Sequence, residues 1–297
     1  MENKVVADRK RLYRAIVLDP CNRPNEQALE HNLDALRSAG LTVDYLPCNV
    51  NVGELLGREG TSERGSILSQ ALHEDCDYII PAIGGYGASD LIRVLDWDLL
   101  ESQNPKIVVG FSDISAIQVA LYTRLGWPAL HGPVPGSRVW EEAPDIDLLL
   151  SMLSRGRPWI NEIKLDSSIQ ADLISGTLLG GCLSVLTNLI GTPYLPASLS
   201  GCILFFEDKN ENAGRILRFW NQWLDSGLLN GASAVVLGRF NNLNAGRDEV
   251  WLHERLLERT ECPVFVSEDF GHDGPNIPIA IGAYAEISSN LLRWILD

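Results

Sequence analysis

The feature that most constrains this fold is a regular alternation of short apolar runs and amphipathic stretches over the first 140 residues. RAIVL at 14–18 is a strand-type run that ends on the turn signal Asp19-Pro20. Leu29, Leu33 and Leu36 then recur at helical spacing within 25–39, and Gly40 can supply the positive φ that ends a helix. LTVDYLP follows as a strand, and Ile67, Leu68, Ala71 and Leu72 mark a second helix. DYIIPAI at 77–83 runs into Gly84-Gly85-Tyr86-Gly87. A helix is expected over 88–95, KIVVGF at 106–111 is the next strand, and a helix over 113–125 follows it. Repeated units of this size imply a parallel sheet covered by helices on both faces. In such sheets ligands bind outside the carboxyl ends of the strands.

The pattern changes near 141–175, where a short helical stretch mixes with Pro, Gly and charge. The second half has strand-type runs (GCILFFE, AVVLGRF, PVFVSE, AYAEI) and two helical stretches, near 214–226 and 249–258. The expected fold class is α/β: an N-terminal parallel-sheet, Rossmann-like domain over 1–145, an inter-domain connection over 146–174, and a smaller C-terminal α+β domain over 175–297. The polar, Gly-rich segment 48–66 is expected to form a rim beside the site.

Charge and cysteine usage narrow the function classes. Lys and Arg number 24 against 39 Asp and Glu, a formal net charge of −15. Such a chain has no electrostatic reason to seek nucleic acid or anionic lipid. No run approaches the ~20 apolar residues needed to cross a bilayer, and the start, MENKVVADRK, has no apolar signal core. The six cysteines (Cys21, Cys48, Cys76, Cys182, Cys202, Cys262) are scattered without a C-x-x-C pair. They read as buried thiols in a reducing compartment, with no zinc site and no disulfide framework. A cytoplasmic protein without metal or cofactor is the expectation.

Ser112 stands between the strand KIVVGF and the helix that follows it. A serine at such a turn is held out of the sheet, with the N–H groups of the next turn free to face an oxyanion. The G-x-S-x-G elbow is not met, because Ile114 occupies its last position, and Ser112 is equally well placed to cap the helix. Gly84-Gly85-Tyr86-Gly87, also at a strand end, permits close backbone approach to a ligand but matches neither a phosphate loop nor G-x-G-x-x-G; an ordinary tight turn is the other reading. Glu207 closes the apolar run at 202–206 and needs a partner if buried. Asp208 and Glu211 are expected to pair with Arg215 or Arg218. His272, in Phe270-Gly271-His272-Asp273-Gly274, is the best base candidate, since a loop between glycines offers it little packing. His31, His73 and His253 fall on amphipathic helices and are expected in solvent; His131, in His131-Gly132-Pro133, is read as packing or secondary positioning. Serine, glutamate and histidine thus occur in the chain order of acyl-transfer triads on α/β scaffolds.

These residues lie within longer blocks. GGYG at 84–87, GFSDISAIQVAL at 110–121, HGPV at 131–134, SGTLLGGCLSVLTNLIGTPYLP at 175–196, ILFFEDKNENAGRILR at 203–218 and FGHDGPNIPIAIGAYAEI at 270–287 together resemble the L,D-carboxypeptidase family of serine peptidases. That family includes murein tetrapeptide carboxypeptidases and microcin C immunity peptidases. The resemblance implies a two-domain hydrolase with its site in the cleft between domains. It places the nucleophile on Ser112, the carboxylate on Glu207 and the histidine on His272. It also implies oxyanion donors at the N–H groups of Asp113 and Gly85, substrate contacts near Ile83, Gly84, Tyr86 and Cys182, and a homodimer. Two positions depart from the family pattern: Ile83 stands where Arg is usual, and Cys182 where Asn is usual. Both changes bear on substrate choice.

The expected activity is cleavage of an amide near the C-terminus of a small peptide or peptide conjugate through an acyl-enzyme. An acyl transferase or amide hydrolase of a biosynthetic or self-immunity pathway, using the same triad, is the alternative. A non-catalytic binding relative is disfavoured, because a binder has no need of all three side chains.

Overall fold

The computed structural model describes residues 11–49, 54, 57–138, 140, 145–166, 173–243 and 247–297. The first half runs β1 (Arg14–Leu18), α1 (Glu26–Ser38), β2 (Thr42–Leu46), α2 (Arg58–His73), β3 (Tyr78–Pro81), α3 (Ala88–Leu91), α4 (Trp97–Leu100), β4 (Ile107–Gly110), α5 (Ser115–Leu125) and β5 (Ala129–His131). The rest runs α6 (Ile146–Arg155), β6 (Trp159–Lys164), β7 (Ile174–Cys182), α7 (Leu183–Thr187), β8 (Cys202–Lys209), α8 (Ala213–Asp225), β9 (Ala234–Asn241), α9 (Glu249–Leu257), β10 (Val264–Val266), β11 (Ile279–Ile281), β12 (Tyr284–Ser288) and β13 (Leu291–Leu296).

The first sheet has the order β11-β5-β4-β3-β1-β2. Its strands β1 to β5 are mutually parallel, and β3 and β4 are buried throughout, as a sheet covered on both faces requires. Helix α1 starts where Asn25 accepts a hydrogen bond from the Ala28 N–H, and it buries Leu29, Leu33 and Leu36. The helix expected over 88–95 stops at Leu91. In the segment expected as a rim, 58–66 are the first turns of α2, while 50–53 and 55–56 lie outside the described residues.

The second sheet has the order β10-β9-β8-β7-β12-β13-β6. β7 to β10 are parallel and β12, β13 and β6 antiparallel, so this half mixes both kinds of pairing. Helix α8 covers it: Trp220 and Trp223 pack edge-on to Phe206, with ring centroids 5.8 and 4.9 Å apart. Two findings correct the sequence reading. The segment 146–174, read as a connection, contains α6 and the edge strand β6, which pairs with β13. Strand β11, far along the C-terminal half, crosses back and pairs antiparallel with β5 of the first sheet, Ile279 opposite His131. Alternating hydrophobicity identifies strands but does not say which sheet they join. Among the described residues no helix is long and apolar enough to cross a membrane.

The tightest packing in the second sheet is at Gly180, where a side chain would run into the backbone carbonyl of Phe205. A backbone group cannot swing aside as a side-chain tip can. Gly180→Ala is expected to cost about 1–3 kcal/mol through overpacking. Thermal unfolding checks this, with a midpoint several degrees below wild type as the expected result.

Candidate active site

Ser112 opens a short 3₁₀ turn, Ser112–Ile114, directly after β4. Its φ is +63°, in the left-handed region that non-glycine residues enter at a cost of about 1–3 kcal/mol when the surroundings hold them there. Capping does not explain the residue. Phe111 occupies the N-cap position of the turn, and neither the turn nor α5 has a side-chain cap. Among the described residues, the Ser112 hydroxyl has no hydrogen-bond partner in the protein. The strand end that carries it is braced from below: buried Gln118 of α5 donates to the carbonyls of Gly110 and Leu130, each at 2.9 Å.

The glycine run lies against this turn. A Cβ on Gly84 would sit 3.1 Å from Cβ and 3.3 Å from Oγ of Ser112, with the Asp113 amide nitrogen at 3.7 Å. Gly85, at φ +131°, lies instead against Asn22. The buried Asp113 carboxylate accepts from the Ala88 N–H at 2.9 Å and so ties the start of α3 to the serine turn. Below Gly87 lies Arg64, fully buried, which donates to the Pro20 carbonyl at 2.7 Å. Tyr86 is exposed and lines a cavity of about 410 Å³ together with Arg93, Asn188, Thr192 and Tyr194. Ile83 is half-buried at the entry to the run.

Glu207 sits near the carboxyl end of β8 with no solvent exposure. His272 Nδ1 meets its Oε2 at 2.5 Å. The loop that brings His272 there is anchored through Asp273, which accepts from Lys209 Nζ at 2.7 Å and Asn241 Nδ2 at 2.5 Å. The His272 ring also packs on Phe111, with centroids 4.9 Å apart, and so stands beside the residue that precedes Ser112. Burial pushes the Glu207 carboxyl up, but His272, its hydrogen bond, His131 and Arg239 outweigh that and hold it below the ordinary 4.5. Burial pulls the His272 ring down, yet Glu207 and then Asp208 raise it above the ordinary 6.5.

Two neighbours differ from the sequence reading. Asp208 does not pair with Arg215 or Arg218; it is buried and accepts from the Ser184 N–H at 2.7 Å and Oγ at 3.2 Å. Burial and the adjacent Glu207 push its carboxyl up to about 6. Glu211 does pair with Arg215, at 2.8 Å. His253, expected in solvent, is mostly enclosed and packs edge-on to Phe240. Cys182 is buried opposite Glu207 in the β7–β8 register. Its N–H donates to Ser115 Oγ at 3.1 Å, and burial pushes its thiol well up. His131 proves fully buried, inside an aromatic box that sequence reading did not anticipate. The one available signal was its place after a strand in His131-Gly132-Pro133. Among the described residues, no cluster of three His, Cys, Asp or Glu side chains is placed to hold a metal ion.

Comparison with known proteins matches two adjoining family models. The LD-carboxypeptidase N-terminal domain covers 16–132 and the LD-carboxypeptidase C-terminal domain covers 175–287. The chain belongs to the LD-carboxypeptidase family. A Streptomyces coelicolor protein with a provisional carboxypeptidase name is 30% identical over 96% of this chain and 93% of its own. The murein tetrapeptide carboxypeptidase of Pseudomonas aeruginosa is 31% identical over 71% of this chain and 72% of its own. Among solved structures, muramoyltetrapeptide carboxypeptidase from Oxalobacter formigenes superposes with a TM-score of 0.81 at 27% identity, covering 96% of this chain and 99% of that one. By family this LD-carboxypeptidase is a serine-type peptidase.

The Glu207–His272 pair makes the stability of this LD-carboxypeptidase depend on pH. The raised His272 contributes stability that is full below 6.5 and lost as pH rises through its folded value. The depressed Glu207 contributes stability that is full above 4.5 and lost as pH falls through its folded value. The destabilisation by Glu207→Gln is therefore expected to peak between 4.5 and 6.5 and to shrink on both sides. Urea unfolding of both proteins across the pH range checks this; a difference that is flat with pH contradicts it.

Proposed function

We propose that this chain hydrolyses an amide bond near the C-terminus of a small peptide or peptide conjugate, with Ser112 as nucleophile, His272 as base and Glu207 as its carboxylate partner. The observation that carries the reading is the Glu207–His272 pair, set against Phe111 beside a serine held at φ +63°. His272 Nδ1 is engaged by Glu207, which leaves Nε2 to take the Ser112 proton as Oγ attacks the carbonyl carbon. Glu207 holds the tautomer and stabilises the imidazolium that forms. The N–H groups of Asp113 and Gly85 are assigned to the developing oxyanion; removing one such donor typically costs about 10²–10³ in turnover. His272 then protonates the leaving amine. Water, deprotonated by the same ring, releases the acyl group from Ser112. No metal or cofactor enters these steps.

Murein-type tetrapeptide is the first substrate choice, because relatives bearing that name match most of the chain. A peptide–nucleotide conjugate is second. The microcin C7 self-immunity protein MccF of Escherichia coli is 25% identical over 77% of this chain, and Ile83 and Cys182 alter the polar surroundings of the cleft. Tyr86 and Arg93, on the wall of the cavity beside the glycine run, are the surface assigned to the rest of the substrate. The reading also carries a homodimeric state and a cytoplasmic address, which size-exclusion chromatography and cell fractionation check.

Incubation with murein tetrapeptide, a microcin C-type conjugate and short acyl-amino acids, followed by mass spectrometry, identifies the substrate. Ser112→Ala is expected to lower turnover at least about 10³-fold while leaving the protein folded. A fluorophosphonate is expected to label wild type at Ser112 and to leave Ser112→Ala unlabelled. Near-wild-type hydrolysis by folded Ser112→Ala overturns the assignment.

A further inference from the structure

His131 is fully buried, and among the described residues no group bonds either of its ring nitrogens. It ends β5, opposite Gly110 of β4 on one side and Ile279 of β11 on the other. Three phenylalanines box it in at near-perpendicular angles: Phe205 at 5.4 Å, Phe111 at 6.2 Å and Phe270 at 6.3 Å between ring centroids. Each is a close chain neighbour of a proposed triad residue. Phe111 precedes Ser112, Phe205 lies two residues before Glu207, and Phe270 lies two residues before His272. The ring therefore sits where the three elements converge.

A second unpaired polar atom lies in the same place. Oε2 of Glu207 is engaged by His272, but Oε1 has no partner and no exposure. Two unpaired polar groups at zero exposure are costly, the more so where one carries a charge. They are close enough for the charge on each to act on the other. Arg239 also faces Glu207, but its Nη atoms go to the carbonyls of Glu268 and Pro275. A neutral imidazole has one N–H to give.

We propose that His131 is a positioning residue: it supplies its ring N–H through one enclosed water to Oε1 of Glu207, and so fixes the carboxylate against His272. The proposal rests on the triad reading above. Burial, outweighing Glu207, pushes the His131 ring down to about 4, which keeps it neutral at neutral pH. The charged and titratable groups facing this unit are Cys182, Asp208, Lys209, Arg239 and Asp273, besides His131, Glu207 and His272 themselves. A carboxylate that loses an N–H donor becomes more basic and holds its imidazolium more tightly.

The test reads the rate of fluorophosphonate labelling of Ser112 against pH. His131→Phe keeps an aromatic ring in the box but has no N–H. It is expected to label about 10–100-fold more slowly, with the acid limb of the profile moved up by about one pH unit. His131→Gln retains a donor and is expected to return the limb toward wild type. A His131→Phe limb at the wild-type position overturns the proposal, whatever happens to the rate, because loosened packing alone does not move it. Identical limbs in the Phe and Gln variants overturn it as well. If neither variant folds, ¹⁵N-histidine spectra of wild type and Glu207→Gln decide. The protonated ring nitrogen of His131 is expected to shift when Glu207 is neutralised, and an unchanged resonance overturns the proposal. Labelling that survives in Ser112→Ala defeats the triad reading instead; labelling lost there, with an unmoved limb in His131→Phe, defeats only this inference.

Discussion

A carboxylate with no access to water is the constraint around which this structure is organised. Glu207 cannot shift to find solvent, because β8 lies inside the second sheet between β7 and β9. Removing the partner of a buried charge costs about 3–5 kcal/mol, so a cation or donor must come to Glu207. His272 does so, on a loop pinned through Asp273 to Lys209 and Asn241. Once there, its ring meets Phe111 of the first half. One electrostatic demand in the second sheet thereby helps to set how the serine turn is approached.

The serine turn carries the opposite kind of cost, conformational and not electrostatic. A left-handed Ser112 persists only where its neighbours permit no relaxed alternative. Gln118 holds the strand end by two carbonyls. Gly110 has no room for a side chain, since a Cβ there would lie 2.8 Å from Cγ2 of Ile114. Asp113 fastens the turn to α3. The hydroxyl is therefore fixed by backbone and buried side chains, with none of its own hydrogen-bonding capacity spent on capping.

Most of the first sheet could be read from the sequence because parallel strands buried on both faces are near-continuous apolar runs, and Leu29, Leu33 and Leu36 mark the buried face of α1. The places of Ser112 and Glu207 near strand ends were visible for the same reason. What escaped reading depends on partners distant in sequence. Asp208 has arginines nearby in the chain but bonds Ser184, because the β7–β8 register brings the start of α7 alongside. His253 lies on a helix with a weakly polar pattern, and its burial follows from Phe240 on another element. Nothing in IPIAIG announces that β11 leaves its own half to pair with β5. His131 gains its setting only through that crossing.

Cys182 belongs to this same buried region. It stands opposite Glu207, and burial and the charges of Asp208 and Glu207 push its thiol well up. A neutral thiol is a weak donor; here it lies 3.5 Å from Ser184 Oγ and leaves Oε1 of Glu207 unpaired. An amide at that position would add a strong donor to the cleft floor. Without one, the imidazole of His272 on Oε2 is the partner that the described residues give the carboxylate. The electrostatic support of Glu207 thus lies in the protein core, where solvent screening is least.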